Sequence, residues 1–230
     1  MLASLALPEL LGPVQVVTPP SGLVVSLVDA KQSCRVEYSD EDVLITTYIQ
    51  AAQDLAAQAL GDGRELRSAV YDVPLSRWWD WDPVGLPSHQ GWPHWNYNIP
   101  QGIYGVPLLV PRPPLQSVAS ITWYDSNGNA QTLDPSKYLV EVPQRQFGRV
   151  WLNPSWARPY LDPNRPHPII VRINAGYASA DSGPAGIKAA ILMLVTHWYD
   201  RRAAVSVANL TEAPLAFRAL LESESWGGYC

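Results

Sequence analysis

Helical hydrophobic periodicity near both ends of this chain encloses a middle part in which the period changes. In each helical stretch, apolar residues recur at intervals of three and four, which places them on one face of an α-helix. The first stretch carries Leu44, Tyr48, Ala52, Leu55 and Ala59, widened by Ile45, Ile49 and Ala56. The second carries Ile187, Ile191, Leu194, Val195 and Trp198. We therefore expect the helices from the two ends of the chain to pack together as a small bundle.

Polar residues mark the starts of two helices in the first stretch, within residues 26–61. Ser26 can accept a hydrogen bond from a first-turn amide while Asp29 reaches back to the Ser26 amide, as in a capping box. Ser39 or Asp40 can repeat this role for the second helix. The pattern predicts a short helix followed by a longer one.

The helices of the second stretch are predicted within residues 184–222. Pro184 suits the start of the first of them, because an amide donor is not needed there. Thr211 can cap a last short helix that carries Leu215, Phe217, Leu220 and Leu221. A helix this short is marginal alone, so we expect it to dock on a neighbouring protein or subunit.

The middle of the chain reads as β-structure. Short runs typical of strands occur at 66–75, 106–110, 117–124, 138–142, 149–152 and 169–174. The segment 125–129, Asp-Ser-Asn-Gly-Asn, is a strong hairpin turn because Asn and Gly tolerate positive φ. The predicted fold class is α+β, with a small antiparallel sheet inserted between the helices.

The expected domain organisation has three parts. Residues 1–22 form an extended arm, since Pro19 and Pro20 disfavour helix. Residues 23–222 form the main domain, with a β-rich part at 66–174 that carries a Trp-rich loop insert at 77–104. Residues 223–230 form a C-terminal tail.

Composition narrows the classes of partner. Charged residues make up only 16% of the chain, against about 25% in ordinary soluble domains. Either other subunits cover part of the surface, or the surface is rich in proline and uncharged polar groups. The net charge of -5 disfavours sequence-specific DNA binding, which needs clustered Lys and Arg. Cys34 and Cys230 make no disulfide framework, and no apolar run is long enough to span a membrane.

The common enzyme signatures are absent from the sequence, so we expect no catalytic, cofactor-binding or metal site. The segment with the most unusual chemistry is the Trp-rich insert. Its aromatic side chains can anchor a subunit interface, or they can stack on sugars beside Asp80 and Asp82 in a carbohydrate-binding or glycan-cleaving module. The candidate interface residues are Trp78, Trp79, Trp81, Trp92, Trp95, Leu215, Phe217, Leu220 and Leu221.

Several scaffold motifs occur in a fixed order along the chain. They are V-S-L-x-x-A-K-x-x-x-R-V at 25–36, S-D-E-D-x-L-I within 39–52, P-R-P-P-L-Q-S-V at 111–118, a segment at 133–140, and I-K-A-A-I-L-x-L-V-x-H-W-Y at 187–199. This ordered set resembles the head-tail connector proteins, also called adaptor or head-completion proteins, of long-tailed bacteriophages. The resemblance spans most of residues 17–222, and the Trp-rich insert is an addition to it.

The resemblance implies a structural, non-enzymatic protein at the head-tail junction of a virion, made in the host cytoplasm. Twelve copies would form a ring beneath the portal protein and link the head to a neck or tail-completion protein. Genomic DNA would pass through the ring without sequence specificity. The rival interpretations are the carbohydrate module and a plain interaction domain of the host.

Overall fold

A computed structural model describes residues 10–61, 63–79, 107–143, 147–179, 182–201 and 215–224. Within these ranges the chain forms four α-helices and eight β-strands. The helices are α1 (Leu27–Cys34), α2 (Asp42–Leu60), α3 (Ala185–Asp200) and α4 (Leu215–Glu224). The strands are β1 (Gln15–Ser21), β2 (Ser68–Leu75), β3 (Leu108–Leu109), β4 (Leu115–Tyr124), β5 (Ala130–Thr132), β6 (Tyr138–Glu141), β7 (Arg149–Leu152) and β8 (Ile169–Ala175). The predicted α+β class is confirmed.

The strands form two sheets instead of the one that the sequence predicted. A five-stranded sheet has the order β1-β2-β8-β4-β5, and a three-stranded sheet has the order β3-β7-β6. The predicted hairpin is confirmed, since β4 and β5 pair antiparallel across the turn that starts at Asp125. The sequence missed β5 because its three residues are all exposed and show no alternation. Part of the predicted N-terminal arm is strand β1, at the edge of the larger sheet beside β2 of the same chain.

The chain divides into two compact units. The sheet unit comprises residues 1–17, 70–111 and 117–174, and the helix unit comprises residues 18–69, 112–116 and 175–230. The chain therefore contributes more than one segment to each unit.

Helix α3 is the centre of the helix unit. It contacts α1, α2 and α4, and α2 contacts α1 and α4 as well. Its inward residues Ile187, Ile191, Leu194 and Val195 are at most 1% exposed. The predicted packing of the N-terminal and C-terminal helices is therefore confirmed.

The buried face of α2 is turned by about one residue from the predicted stripe. The buried line runs through Ile45, Ile49, Ala52, Ala56 and Leu60, whereas Ala59 is exposed and Leu44, Tyr48 and Leu55 are only half-buried. A buried glutamine accompanies this rotation. Gln53 is 1% exposed, and its Oε1 accepts a hydrogen bond from the Val24 amide at 3.0 Å. Hydrophobic periodicity alone does not reveal this polar core residue.

The start of α1 follows the predicted cap, since Ser26 Oγ accepts from the Asp29 amide at 3.1 Å. The predicted start of α2 at Ser39 or Asp40 is wrong. The helix begins at Asp42, and its N-cap residue Glu41 makes no side-chain capping bond.

Tertiary contacts set the start of α2 instead of a local cap. The Tyr199 hydroxyl of α3 donates to the Glu41 carboxylate. Lys31 of α1 forms an ion pair with Asp42 at 2.7 Å. Both acidic side chains bond to residues of other helices. A capping rule based on nearby residues therefore does not locate the start of α2.

Helix α4 docks on its own chain. Phe217 and Leu221 are 1% and 2% exposed and belong to the core shared with α2 and α3. The predicted cap Thr211 lies outside the described residues. The sequence predicted that this short helix docks on a neighbouring protein or subunit. In the structure it docks on helices of its own chain.

Gly176 closes a tight junction in the helix unit. Its amide donates to the Pro114 carbonyl at 2.9 Å, and its own carbonyl accepts from Gln116 Nε2 at 2.8 Å. Its φ is +89°, and a Cβ at this position would lie 1.9 Å from the Arg67 carbonyl oxygen. Only glycine fits a positive φ this close to another backbone.

Replacing Leu194 by Ala should destabilise the protein by about 2–5 kcal/mol, because it leaves a cavity where α3 meets its neighbours. Leu194 is 1% exposed. The free energy of unfolding from urea denaturation, followed by circular dichroism, measures this loss. Val43→Ala is the control on α2, 81% exposed, and should change the same quantity by less than about 0.5 kcal/mol. Equal effects from the two variants would contradict the assigned core.

Replacing Gly176 by Ala should cost more than replacing Gly22 by Ala. Both glycines have a φ near +90°, but no atom lies within 4 Å of a Cβ placed on Gly22. Gly22→Ala therefore tests backbone strain alone, about 1–2 kcal/mol. Gly176→Ala adds the backbone clash, so its melting temperature should fall further or the variant should fail to fold. Similar melting temperatures for the two variants would rule out the close approach to Arg67.

Candidate interaction surfaces

Among the described residues, no group of three or more His, Cys, Asp or Glu side chains is placed to hold a metal ion. No described helix has both the length and the apolarity needed to cross a membrane. Cys34 is a buried thiol whose Sγ lies 3.9 Å from Thr196 Oγ1.

An aromatic cluster of two buried and two half-buried tryptophans lies in the sheet unit. The ring of Trp78 packs edge-on against Trp156, with centroids 4.8 Å apart, and contacts Trp79 and Trp123 at 6.2 and 6.3 Å. Trp78 is 4% exposed and Trp79 is 7% exposed. These two indoles are therefore covered by the chain itself.

Hydrogen bonds fix both indoles in place. Trp79 Nε1 donates to the Val150 carbonyl at 2.9 Å, and Trp78 Nε1 donates to the Pro159 carbonyl at 3.2 Å. A buried indole N–H needs such a partner, since leaving it unsatisfied costs free energy. Both tryptophans come shortly after strand β2 in the sequence, and the end of this strand places them in the interior.

The structure places Trp78 and Trp79, two of the predicted interface anchors, among the buried residues of the sheet unit. Their role at an interface stays a prediction. Neither ring offers an open face to a neighbouring subunit or to a sugar. The other predicted anchors of the insert, Trp81, Trp92 and Trp95, lie outside the described residues. The same holds for Asp80 and Asp82.

The predicted interface on α4 keeps one exposed member. Leu215 is 79% exposed, whereas Leu220 is partly buried against the helix core. Phe217 and Leu221 face inward and are already covered, so they are not available to a partner. All four side chains are apolar, but the sequence does not say which of them the chain itself covers.

Cations stack on aromatic rings in the segment between β7 and β8. The Arg158 guanidinium lies 4.9 Å from the Trp156 ring centroid, and the Arg165 guanidinium lies 3.6 Å from that of Tyr124. Such pairs add a modest attraction beyond apolar contact. Tyr160 in the same segment is 90% exposed.

The three-stranded sheet has one largely covered side and one partly exposed side. On the covered side, Leu108, Val150 and Leu152 are at most 2% exposed. The register pairs Leu109 and Glu141 with Arg149, and Leu139 with Trp151, so these five residues share the opposite side. The Val110 amide bonds to the Gly148 carbonyl and continues the pairing before β7, which places Phe147 on that side too. We call these six residues the outer face.

Large apolar side chains dominate the outer face. Leu109, Leu139 and Phe147 are 41%, 46% and 44% exposed. On the same face, Arg149 Nη1 and Glu141 Oε2 form an ion pair at 3.7 Å. The sequence does not reveal this surface, because the predicted strands at 138–142 and 149–152 have apolar residues on both sides and their pattern does not decide which side is covered.

Structural contacts shift the pKa values of Asp125, Tyr138 and Arg172. The Asn129 amide, which donates to the Asp125 carboxylate, is the main cause that lowers the pKa of Asp125 below its usual value. Burial, followed by the nearby Asp134 charge, raises the pKa of Tyr138. The hydrogen bonds that Arg172 donates to the Asp72 carboxylate raise the pKa of Arg172. Each of these three shifts moves the pKa away from neutrality, so these groups keep their charge states near pH 7 and support the turn and strands that hold them.

Comparisons with known proteins find one family model and several solved structures that this chain resembles. A family model of phage gp6-like head-tail connector proteins matches residues 24–75, which include α1, α2 and β2. No curated protein matches the sequence significantly. The resemblance to connector proteins that the motifs indicated is thus confirmed for this part of the chain.

Solved structures extend the likeness to nearly the whole fold. A chain from the virion of a native gene transfer agent (GTA) particle has a TM-score of 0.58 and 17% identity, covering 92% of this chain and 94% of its own length. A chain from the neck of an empty GTA particle, computed with C6 symmetry, has a TM-score of 0.59 and 16% identity and covers 93% and 95%. One from the neck of a native GTA particle, computed with C12 symmetry, has a TM-score of 0.59 and 15% identity and covers 93% and 94%. These chains share the fold over more than nine-tenths of their length.

Replacing Trp78 by Ala should destabilise the protein by about 3–5 kcal/mol, because it empties the centre of the aromatic cluster. Urea unfolding followed by circular dichroism measures the change. The control is Tyr160→Ala, which removes a 90% exposed ring and should cost less than about 0.5 kcal/mol. Wild-type stability of the Trp78 variant would contradict the buried position of this ring.

Proposed function

We propose that this chain is a structural connector subunit that joins the DNA-filled head of a phage-like particle to its neck or tail. The observation that carries the proposal is the fold likeness to chains from GTA particle necks, over 93% of this chain. The family match at 24–75 supports it independently, because it rests on sequence and not on shape. The proposed location is the head-tail junction of the virion, after synthesis in the host cytoplasm.

The proposed assembly is a ring of twelve copies. The C12 symmetry of a neck that contains a chain of this fold supports that number. Cyclic rings are built from heterologous contacts, in which one patch of each subunit meets a different patch of the next. The portal protein on one side of the ring and a neck or tail-completion protein on the other are the proposed partners.

The proposed role is non-enzymatic. Genomic DNA would pass along a channel that the ring lines, without contacts that read its sequence. The net charge of -5 supports this part of the proposal, since tight binding of DNA phosphates depends on clustered Lys and Arg. A channel of weak attraction would let DNA slide.

Deleting the gene from a strain that produces the particles tests this function. We expect DNA-filled heads and complete tails to accumulate separately, because each assembles with other components and only their joining needs the connector. Electron micrographs of the lysate, with counts of joined and separate structures, give the readout. Heads should also lose DNA, since the portal would lack its seal.

Expression of the wild-type gene from a plasmid is the control and should restore joined particles. Normal tailed particles from the deletion strain would overturn the proposed function. Missing heads or missing tails would also contradict it, because the defect would then lie earlier in assembly.

A further inference from the structure

We infer that the outer face of the three-stranded sheet is a surface through which each copy of this chain contacts the next copy in the ring. This inference rests on the proposed function, which supplies the ring. It adds the residues that make one side of the contact, which neither the family match nor the fold likeness assigns.

The burial of the small sheet is one-sided. Its covered side is closed by the chain, with Leu108 and Val150 at 2% and 0% exposure. On the other side Leu109, Leu139 and Phe147 each keep more than two-fifths of their surface open, and Trp151 lies among them half-buried. Soluble monomers rarely group large apolar side chains in one open patch, and such patches mark contact sites. A partner is therefore expected over this face.

The charges of the outer face identify the class of partner. Among the six residues that define this face in the described part of the chain, Arg149 and Glu141 are the charged ones, and their pairing at 3.7 Å leaves these six with no net charge. A nucleic-acid surface needs an excess of cations to meet phosphates, so the outer face does not suit DNA. Apolar and aromatic side chains around a small polar centre are instead typical of protein interfaces.

The proposed ring supplies a second copy of this chain as that protein partner. Chains of this fold occur in necks computed with C12 and C6 symmetry. In a closed ring each subunit contacts its two neighbours through the same two patches in every copy. An apolar patch at such a contact is therefore always covered. A flat sheet face of apolar residues suits this constant contact, because it is covered in every copy at once.

Two single substitutions, Leu139→Glu and Phe147→Glu, test the inference in the full-length protein. Both place a charge on an exposed position of the outer face, where the folded monomer can solvate it and a covering neighbour cannot. Thr132→Glu is the matched control, since it adds the same charge to an exposed strand residue outside the outer face. Native mass spectrometry and negative-stain electron microscopy measure the assembly, and circular dichroism with thermal melting measures the fold.

The wild-type protein and the Thr132 variant should form rings, whereas both outer-face variants should lose the ring species and keep the wild-type melting temperature. In mixtures made before assembly, excess Leu139 variant should reduce the yield of wild-type rings, because its opposite flank still binds a wild-type copy. If either outer-face variant fails to fold, Leu139→Ser and Phe147→Ser replace it with the same expectation of weakened rings.

The possible failures are distinguishable. Rings of wild-type yield from the folded outer-face variants would overturn the inference and leave the proposed function standing, with a different protein as the cover of this face. A wild-type protein that forms no ring at any accessible concentration would overturn the ring itself, and the inference with it. Loss of rings in the Thr132 control as well would overturn the assignment to the outer face, because added charge alone would then explain the effect.

Discussion

The burial of α3 against α1, α2 and α4 is the contact on which the helix unit depends. Its inward side chains are almost completely removed from water, and each buried Leu or Ile contributes about 1.5–3 kcal/mol relative to an exposed one. Helices as short as α1 and α4 gain little from their own hydrogen bonds, so this packing is what keeps them folded. The same contact brings together residues from both ends of the sequence, such as Phe217 and Ile45.

Polar contacts then fix how the helices meet. Gln53 supplies a buried acceptor for the Val24 amide. The Tyr199 hydroxyl of α3 donates to the carboxylate of Glu41 at the start of α2. Apolar packing alone tolerates small rotations, whereas a buried hydrogen bond lost by rotation costs the desolvation of both its groups. These contacts explain why the buried line of α2 is displaced from the stripe that hydrophobicity alone predicts.

The sheet unit combines a closed interior with an open outer face. Its interior holds Trp78 and Trp79, whose indole N–H groups are satisfied by backbone carbonyls. The outer face leaves three large apolar side chains exposed to water, which is unusual for a soluble monomer. In the proposed ring this surface would be covered, and the low fraction of charged residues in the chain fits a protein with several covered surfaces.

The sequence by itself determined the α+β class, the positions of the main helices, the Asp125 hairpin and the resemblance to head-tail connectors. These features depend on local signals, namely periodicity, turn residues and motif order, which a single sequence contains. Only the tertiary structure decided that Trp78, Trp79, Phe217 and Leu221 face inward, that β1 joins the larger sheet, and that the small sheet keeps an open apolar face. The physical reason is that an apolar side chain gains the same free energy from burial in its own core or in an interface, so its identity does not reveal which one covers it. That choice depends on contacts between residues far apart in the chain.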